Sequence, residues 1–400
     1  MDNKKNIWII NHYAFPYGYG FHTRQHTIAL LLKKLGHNVT IFASSFNHLK
    51  TKNVEFENIF KEETIDGLKY VWIKTPVYKG NGLGRILNLF EFSKNLNKIY
   101  KKIDESPEIV WVSSPQPFSI YNGLKLKQYF KAKFVFDERD IWPLTLQVIN
   151  NINKYHPLML IFRYLQLQAY KQSDVIVTPL DNLKEFVELS GHNKNKVKII
   201  PQPFIEFSME KFDIALPEEG FIVGYVGSIG ESNSIFNLIK AARLLIDQLD
   251  IYFVIVGDGP QFEEMKSYAK EHDINNLTFT GKLPKEKAMY ILSKCHLLYK
   301  GNPDLELYKY GIASVKLMEY IWFNKPIIHA TNINDDLVTL SNTGIKIKSD
   351  DEQKLSQTIL NFKFDSNMYN KYTNNGKEFI ENNYNENQII SKLKNIMDLL

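Results

Sequence analysis

The sequence contains a single cysteine, Cys295, in 400 residues. One thiol excludes an internal disulfide and a cysteine-rich metal site, which favours a reducing compartment such as the cytoplasm. No apolar run is long enough to span a bilayer, because the nearest, 157–167, is short and contains Arg163. The apolar segment after Lys4 and Lys5 is too short for the core of a signal peptide. We therefore expect a cytoplasmic protein, either soluble or peripheral on the inner face of the cytoplasmic membrane.

Several catalytic signatures are also absent. The chain has no HExxH, GxSxG, Walker or Asp-x-Asp motif, and its scattered histidines do not have the spacing of a zinc site. These absences exclude the common zinc hydrolases, serine hydrolases and P-loop enzymes. They favour a reaction that uses no bound metal and no cofactor.

A strong charge of one sign is missing as well. The net charge of +5 is too small and too scattered to indicate nucleic acid, but it suits an anionic ligand. Two stretches, 94–102 and 125–133, interleave lysines with apolar residues. Each stretch either rests on an anionic membrane surface or is an ordinary solvated face over a buried stripe. The pattern alone leaves both interpretations open.

The sequence does contain two series of alternating strand and helix patterns, which are typical of parallel α/β domains. The first series ends with a strand at 197–200 and the second begins with a strand at 221–226. Pro201 and Pro203 break the pattern between them. We therefore predict three segments: a first Rossmann-like domain at 1–203, a second at 204–375 and a C-terminal helix at 376–400.

The helix predicted at 313–323 is amphipathic, and its start has the properties of a phosphate site. Ser314 is a candidate N-cap, and the unpaired N–H groups beside it attract anions, as does the positive end of the helix dipole. Lys316 adds a cation in the first turn. Glu319 follows at a spacing that suits hydrogen bonds to the hydroxyl groups of a ribose. The alternative is that Glu319 is only a polar residue on an amphipathic helix.

A glycine loop follows the first strand of each predicted domain. Gly18 and Gly20 precede the first helix, and the run YVGSIG contains Gly227, Ser228 and Gly230. Backbone without side chains allows a phosphate to approach closely, and ligands of α/β units meet the carboxyl ends of strands. The first loop lacks the third glycine of a dinucleotide-binding fingerprint. Both loops are therefore candidates for ligand contact of another kind.

A charged run follows the strand predicted at 133–137. In this position Arg139 can neutralise a diphosphate, and Asp140 can orient a hydroxyl group or hold the arginine in place. The alternative is that Arg139 and Asp140 form a pair that braces the loop over Trp142.

Three stretches carry a resemblance to one family. The run VKLMEYIWFNKPII at 315–328 resembles the nucleotide-sugar signature of family 4 glycosyltransferases, retaining enzymes of the GT-B fold. The runs at 11–48 and 139–143 resemble a branch of that family that acts in O-antigen and capsule assembly, typified by a fucosamine transferase. The resemblance implies an α/β protein of two Rossmann-like parallel-sheet domains that face across a cleft. It also implies that the C-terminal helix crosses back to the first domain.

The resemblance implies roles for individual residues. Glu319 matches the glutamate that holds the ribose of the donor, whereas the position of the family's first glutamate is occupied by Gly311. The arginine and lysine that usually follow the loop glycine Gly227 are missing too. Neutralisation of the diphosphate therefore falls to other cations: Lys316, Lys300, Arg24 and Arg139.

The expected site residues fall into three groups. Donor binding is expected at Gly227, Ser228, Gly230, Gly281, Lys282, Gly311, Ile312, Ser314, Val315, Lys316 and Glu319. Catalytic roles are expected at Arg24, Arg139 and Asp140. Roles in the glycine loop or at the acceptor are expected at Gly18, Gly20 and His22, where His22 is either a contact of the donor sugar or a histidine on a helix surface. No metal site is expected.

The function implied is the transfer, with retention, of a hexosyl or N-acetylaminosugar group from a nucleotide-sugar, UDP-linked by expectation. The expected acceptor is a glycan or an undecaprenyl-diphosphate-linked sugar in O-antigen or capsule biosynthesis, with an anionic membrane surface as a further partner and no role for nucleic acid. The alternatives are a catalytically degenerate nucleotide-sugar-binding homologue and a sugar-nucleotide epimerase of GT-B-like fold. A two-lobed solute-binding protein is disfavoured because no signal peptide is found.

Overall fold

A computed structural model describes residues 4–20, 23–80, 82–214, 216–217, 219–313, 315–334 and 336–400. The chain divides into two compact units. The first unit comprises residues 1–203, 310–313 and 386–400, and the second comprises residues 204–309 and 314–385. Each unit has its own sheet and its own hydrophobic core.

The sheet of the first unit has, within the described ranges, eight strands in the order β3-β4-β2-β1-β5-β6-β7-β8. Its strands are β1 Asn6–Ile10, β2 Asn38–Ser44, β3 Phe60–Ile65, β4 Leu68–Ile73, β5 Ile109–Ser113, β6 Lys133–Asp137, β7 Val175–Thr178 and β8 Val197–Ile199. All neighbouring pairs are parallel except β3 and β4. The carboxyl ends of the parallel strands therefore meet at one edge.

Both faces of this sheet are buried, because the helices that connect its parallel strands cover one face or the other. The helices that precede the linker are α1 Arg24–Lys34, α2 Leu83–Ile99, α3 Pro117–Phe130, α4 Leu144–Ile149, α5 Pro157–Gln172 and α6 Leu183–Leu189. Ile7 and Ile9 share a core with Ile28 of α1. Trp8 points to the opposite face and packs edge-on against Phe130 of α3 at a centroid distance of 5.3 Å.

One strand of the first unit was not predicted. β3 pairs antiparallel with β4 through a two-residue turn, in which Asp66 has φ 52° and Gly67 has φ 70°. An Asp-Gly pair with two positive φ values is the preferred turn of a tight hairpin. This dipeptide was therefore the available signal.

The sheet of the second unit has six strands in the described part of the chain, in the order β11-β10-β9-β12-β13-β14, and all its pairs are parallel. The strands are β9 Phe221–Val226, β10 Ile251–Val256, β11 Leu277–Gly281, β12 Leu297–Gly301, β13 Ile327–Ala330 and β14 Gly344–Ile347. The helices are α7 Ile235–Leu244, α8 Phe262–Glu271, α9 Lys285–Lys294, α10 Val315–Trp322, α11 Leu337–Leu340, α12 Glu352–Phe364, α13 Ser366–Tyr372 and α14 Gly376–Asn383. The predicted class of two Rossmann-like parallel-sheet domains is confirmed.

The last helix, α15 Glu386–Leu399, belongs to the first unit. Ile389, Leu393 and Ile396 are buried in the same core as Ile28. The predicted start of this segment at 376 was too early, because α14 packs on α10 in the second unit. A Cβ at Gly376 would lie 1.8 Å from the carbonyl oxygen of Ile321. The glycine at the start of α14 therefore allows α14 to touch α10.

Membrane-spanning segments were searched for in the described residues. None of the helices found there combines the length and the apolar composition that crossing a bilayer requires.

Candidate functional site

A pocket of about 390 Å³ lies at the carboxyl edge of the second sheet, where β9, β10 and β11 end. Residues that line it are Val226, Gly227, Ser228, Val256, Gly257, Asp258, Gly259, Lys282, Leu283 and Ala288. Ligands of open parallel sheets bind at this edge. The pocket therefore contains the glycine loop and Lys282, which were expected to bind the donor.

Two glycines after β10 allow the loops of this pocket to touch. A Cβ at Gly257, whose φ is +147°, would lie 1.8 Å from the carbonyl oxygen of Gly227, and one at Gly259 would lie 2.2 Å from that of Ile229. The backbone N–H of Gly227 donates to Val256 over 2.9 Å. These contacts leave no room for side chains, so the two loops form one continuous backbone surface.

Tyr320 of α10 holds the end of β9. Its hydroxyl group accepts the N–H of Val226 over 2.8 Å and donates to the carbonyl oxygen of the same residue over 3.1 Å. β12 pairs with β9 only at Val223 and Gly224, so Tyr320 satisfies backbone groups beyond that pairing. The helix is thereby fixed against the glycine loop.

Lys316 lies over that loop. Its Nζ is 3.4 Å from the hydroxyl group of Tyr225, and a Cβ built on Gly227 would lie 2.0 Å from the same Nζ. Burial lowers the pKa of Lys316 to about 8, although Glu319 acts in the opposite direction. A desolvated ammonium group above a glycine loop is suited to bind a phosphate.

Glu319 is buried one turn after Lys316, and its exposed fraction is 8%. Its carboxylate forms an ion pair of 2.6 Å with Nζ of Lys285, the first residue of α9. Lys285 also lies over the ring of Phe207 at 5.5 Å. Glu319, the residue predicted to bind the ribose, is therefore held in place by Lys285, a lysine that the sequence analysis did not identify.

Lys300 does not lie free to neutralise a diphosphate, which contradicts that expectation. It is buried, and its Nζ donates to the carbonyl oxygen of Gly301, to Oδ1 of Asn302 over 3.1 Å and to Oδ1 of Asn233 over 3.3 Å. Burial, followed by the charge of Lys316, lowers its pKa well below the usual value. Lys300 instead organises the backbone between β12 and the glycine loop.

His329 and Asp336 extend this buried network, and sequence reasoning missed both. Nδ1 of His329 is 2.5 Å from Oδ1 of Asp336, and Nε2 is 2.9 Å from Oδ1 of Asn302. Asp336 also caps α11 by accepting the N–H of Thr339 over 3.1 Å. Histidine at the end of an apolar strand, with an aspartate seven residues later, was the only available signal.

The other predicted donor residues divide among several positions. Gly281 ends β11 with φ +73°, and Val315, the first residue of α10, is 43% exposed. Gly230 has open space around it, since its Cβ would have its nearest neighbour, Pro260, at 3.8 Å. Ser314 lies outside the described residues.

Gly311 and Ile312 lie in the first unit, not in the second as predicted. A Cβ at Gly311, where φ is +108°, would lie 2.8 Å from the backbone nitrogen of Asp181. The neighbouring carbonyl group of Tyr310 accepts the N–H of Asn182 over 3.2 Å. Glycine at 311 therefore has a structural reason: this backbone packs closely against the end of β7.

Arg24 is fully enclosed in the first unit, so its placement contradicts a catalytic role. Nη1 donates to the carbonyl oxygen of Pro201 over 2.9 Å, and Nη2 donates to that of Ile200 over 2.8 Å. Nε lies 3.4 Å from Oδ1 of Asp137, and the other carboxylate oxygen of Asp137, Oδ2, accepts from the hydroxyl group of Ser113 over 2.9 Å. Arg24 therefore joins α1 to the end of the first unit's sheet.

Arg139 and Asp140 lie just beyond β6, as predicted. Their backbone N–H groups both donate to Oγ of Ser114, over 2.9 and 3.1 Å. Nε of Arg139 is buried and has no hydrogen-bond partner among the described residues. An unsatisfied guanidinium donor is costly to bury, which favours a ligand role for Arg139 over bracing.

Glu138 precedes them and was missed by the sequence analysis. Its carboxyl group is buried, accepts from Nε2 of Gln166 over 2.6 Å and accepts the hydroxyl proton of Tyr170. Burial raises its pKa to about 7, although these hydrogen bonds act in the opposite direction. Glu138 anchors the loop that carries Arg139.

The first glycine loop is described in part. Gly18 has φ +83° and open space around it, whereas a Cβ at Gly20 would lie 2.8 Å from the ring of Phe15. His22 lies outside the described residues.

Residues 206–379 match the family model of group 1 glycosyl transferases. This match covers most of the second unit. An uncharacterized glycosyltransferase of Methanocaldococcus jannaschii is 25% identical over 243 residues, 58% of this chain and 60% of the relative. The chain therefore spans less than two thirds of that relative. O-antigen chain mannosyltransferase C of Escherichia coli is 22% identical over 323 residues, 77% of this chain and 80% of the relative.

Solved structures share the fold of this chain along nearly its whole length. Sucrose-phosphate synthase from Thermosynechococcus elongatus has a TM-score of 0.75 at 14% identity, with 99% of this chain and 98% of that chain covered. HepE of Anabaena, solved with UDP-glucose, has a TM-score of 0.63 at 12% identity, with 99% and 100% covered. The GT-B fold class is thereby confirmed.

Proposed function

We propose that this protein transfers a sugar from a nucleotide-sugar, UDP-linked, to a glycan or lipid-linked acceptor. Transfer proceeds with retention, without a metal or cofactor, in the biosynthesis of a surface polysaccharide such as O-antigen or capsule. The family 4 assignment and the relation to the fucosamine-transferase branch are part of the proposal. The match of the second unit to group 1 glycosyl transferases and the UDP-glucose held by HepE support a nucleotide-sugar donor.

The observation that carries the proposal is the position of Lys316 and Glu319 on one helix. Nζ of Lys316 lies directly over Gly227, and the carboxylate of Glu319 is buried one turn later. A diphosphate over the glycine loop would meet the ammonium group, and the ribose hydroxyl groups would donate to the carboxylate. One rigid helix would thus contact both halves of the nucleotide.

The chemistry requires little beyond positioning and charge. The bond between the anomeric carbon and the diphosphate oxygen breaks, and a bond from the acceptor oxygen forms on the same face of the sugar. The proton of the acceptor hydroxyl group passes to the departing diphosphate oxygen, so no separate base is needed. Lys316 stabilises the developing charge on that oxygen.

Substitution of Glu319 tests the donor site. Glu319→Gln should weaken UDP binding roughly ten- to hundredfold, since a hydrogen bond to a charged group contributes about 1.5–3 kcal/mol. Calorimetric titration with UDP measures the change, with Glu264→Gln, an exposed glutamate on α8, as the matched control. Equal affinity of Glu319→Gln and wild type would contradict the assignment.

Product analysis tests the reaction itself. Proton NMR of the sugar product should show the same anomeric configuration as the donor, and the yield should not change when a chelator is added. An inverted product would contradict retention. Tight UDP binding without turnover on any lipid-linked or glycan acceptor would favour the degenerate homologue, for which the glycine at 311 is the motivating departure.

A further inference from the structure

Four polar side chains cluster at the carboxyl edge of the first unit's sheet. Tyr13 follows β1, His48 follows β2, Tyr78 follows β4 and Arg85 lies in the first turn of α2. Nε and Nη2 of Arg85 donate to the hydroxyl oxygen of Tyr13 over 3.1 and 2.9 Å. The Tyr78 hydroxyl oxygen and Nδ1 of His48 are 2.7 Å apart. We refer to these four residues as the Tyr13–Arg85 cluster.

The cluster presents its guanidinium and imidazole groups outward. Tyr13 and Tyr78 are 6% and 7% exposed, whereas His48 is exposed and Arg85 is half-buried. Edge-to-face ring contacts of 6.1 Å from Tyr13 to His48 and 5.9 Å from His48 to Tyr78 hold the imidazole in place. A guanidinium group and an imidazole are thus fixed side by side on a buried aromatic base.

The local charge is positive. Burial, together with the charges of Lys50, Arg85 and His48, lowers the pKa of His12, behind Tyr13, to about 3, although the hydrogen bond with Asn88 acts in the opposite direction. Burial and then the charge of Arg85 also lower the pKa of His48. The groups that shift these pKa values are cations and an amide, and no carboxylate of the described residues is among them. Such a potential attracts an anion.

An apolar stripe begins beside the cluster. Leu83, Leu87 and Phe90 follow one another at helical spacing along α2, and they are 88%, 52% and 50% exposed. The opposite face of the same helix already buries Leu89 and Phe92 in the core. A second, exposed apolar face on a helix indicates an interaction surface.

We propose that the Tyr13–Arg85 cluster binds the diphosphate of a lipid-linked acceptor, with the lipid chain along Leu83, Leu87 and Phe90. The proposal rests on the proposed function, because it names the class of acceptor and the residues that recognise it. The guanidinium charge of Arg85 attracts the phosphate oxygens, and Tyr13 holds the guanidinium group in position. His48 donates from Nε2 once it is protonated, and the stripe supplies apolar contact that a soluble diphosphate cannot use.

Calorimetric titration with farnesyl diphosphate and with inorganic pyrophosphate tests the two halves of the site. Both titrations are done in saturating UDP, so that the pocket of the second unit is not open to the added diphosphate. Wild type should bind farnesyl diphosphate at least tenfold more tightly than pyrophosphate. Arg85→Gln should weaken both ligands roughly tenfold, whereas the double variant Leu83→Ser, Leu87→Ser should weaken only farnesyl diphosphate.

Two matched controls are available in the second unit. Arg243→Gln removes an arginine that also donates to a tyrosine hydroxyl group, that of Tyr268 over 3.2 Å. Leu249→Ser removes a leucine that is 85% exposed. Neither should change the affinity for either diphosphate.

The NMR titration of the His48 imidazole is an independent readout. Pyrophosphate should raise the pKa of His48 in wild type, because an anion favours the protonated ring. The ring contacts Tyr13 and Tyr78, and the other titratable groups that act on it are Arg85 and His12. The increase should be smaller in Arg85→Gln. A purely structural cluster would show no such change.

Several outcomes would overturn the proposal. Unchanged affinities in Arg85→Gln would remove the anion site, and equal affinity of wild type for both ligands would leave a soluble phosphate as the ligand. Weakened pyrophosphate binding in the leucine variant would assign the stripe a structural role. Titration with UDP separates this result from the donor site: loss of lipid diphosphate binding with UDP binding intact contradicts only this inference, and absent UDP binding in wild type contradicts the proposed function.

Discussion

Lys316 shows how one half-buried side chain joins the local structure to the proposed chemistry. It lies in the first turn of α10, where the positive end of the helix dipole already favours an anion. Burial lowers its pKa to about 8, so the free protein holds a mixture of charged and neutral lysine in mildly alkaline solution. A bound diphosphate would favour the charged form.

The affinity for UDP should therefore depend on pH through this lysine. Below about pH 8 the side chain of Lys316 is already charged in the free protein. Above about pH 8 Lys316 must take up a proton when UDP binds, so the affinity for UDP should fall by up to tenfold per pH unit. Lys316→Met should bind more weakly and lose this dependence. Calorimetry between about pH 7 and pH 9.5 measures both, with Lys270→Met on α8 as control; a parallel slope in Lys316→Met would contradict the assignment.

Glu138 gives a second pH-dependent prediction, for stability. The pKa of Glu138 in the folded protein is about 7, which is above the value of a free carboxyl group. Between about pH 4.5 and pH 7 the folded state therefore holds a proton that the unfolded state has lost. The free energy of unfolding consequently falls as pH rises through this range. Glu138→Gln removes that loss. The variant should be more stable than wild type at about pH 8, by up to about 3 kcal/mol, and similar at about pH 5.

Urea unfolding followed by tryptophan fluorescence measures this difference. Four of the five tryptophans, Trp8, Trp72, Trp111 and Trp142, lie in the same unit as Glu138. Glu188→Gln, an exposed glutamate on α6, is the control. Equal loss of stability with pH in Glu138→Gln and wild type would show that another group is responsible.

At the scale of elements, the pocket depends on loops that touch backbone to backbone. Gly257→Ala should lower the melting temperature and remove UDP binding, because the new Cβ would meet the carbonyl oxygen of Gly227 at 1.8 Å and overpacking costs about 1–3 kcal/mol. Gly230→Ala in the same pocket region should leave the melting temperature unchanged, since its nearest neighbour is at 3.8 Å. A normal melting temperature for Gly257→Ala would contradict this account.

The elements themselves were largely predictable from periodicity. The amphipathic pattern around Glu319 indicated α10, and the apolar stripe of Ile389, Leu393 and Ile396 indicated α15. The class of two parallel sheets followed from the alternation of strands and helices. These patterns are local, and burial in the fold agrees with them.

The interactions between distant residues were not predictable. The sequence gives no indication that Lys285 pairs with Glu319, that Lys300 is enclosed by Asn233 and Asn302, or that Arg24 bonds to the carbonyl group of Ile200. Such pairings depend on side-chain directions that only packing determines. An arginine near a glycine loop therefore suggested charge compensation, whereas the fold uses it as a structural link.

At the scale of the whole molecule, each unit has a separate core, so each should respond to its own substitutions. Leu393→Ala removes a fully buried side chain of α15 and should lower the stability of the first unit by about 2–5 kcal/mol. Leu399→Ala, where the side chain is 58% exposed, should change it little. Tryptophan fluorescence in urea measures both.

Cys295 reports on the second unit in the same samples. Its thiol is buried, donates to the carbonyl oxygen of Ile291, and has its pKa raised to about 12 by burial, so a thiol reagent reaches it only when that unit opens. Labelling of Leu393→Ala under native conditions should proceed at the wild-type rate. Faster labelling would mean that the two cores unfold together.

The hydroxyl group of Tyr320 determines the rotation of α10 about its own axis, because it grips both polar groups of one residue at the end of β9. A side chain at position 316, one turn before Tyr320, consequently lies above the glycine loop whatever its residue type. Evolution can therefore exchange the residues of the helix's first turn, and with them the preference for one anion or another, while the phase of the helix stays constant.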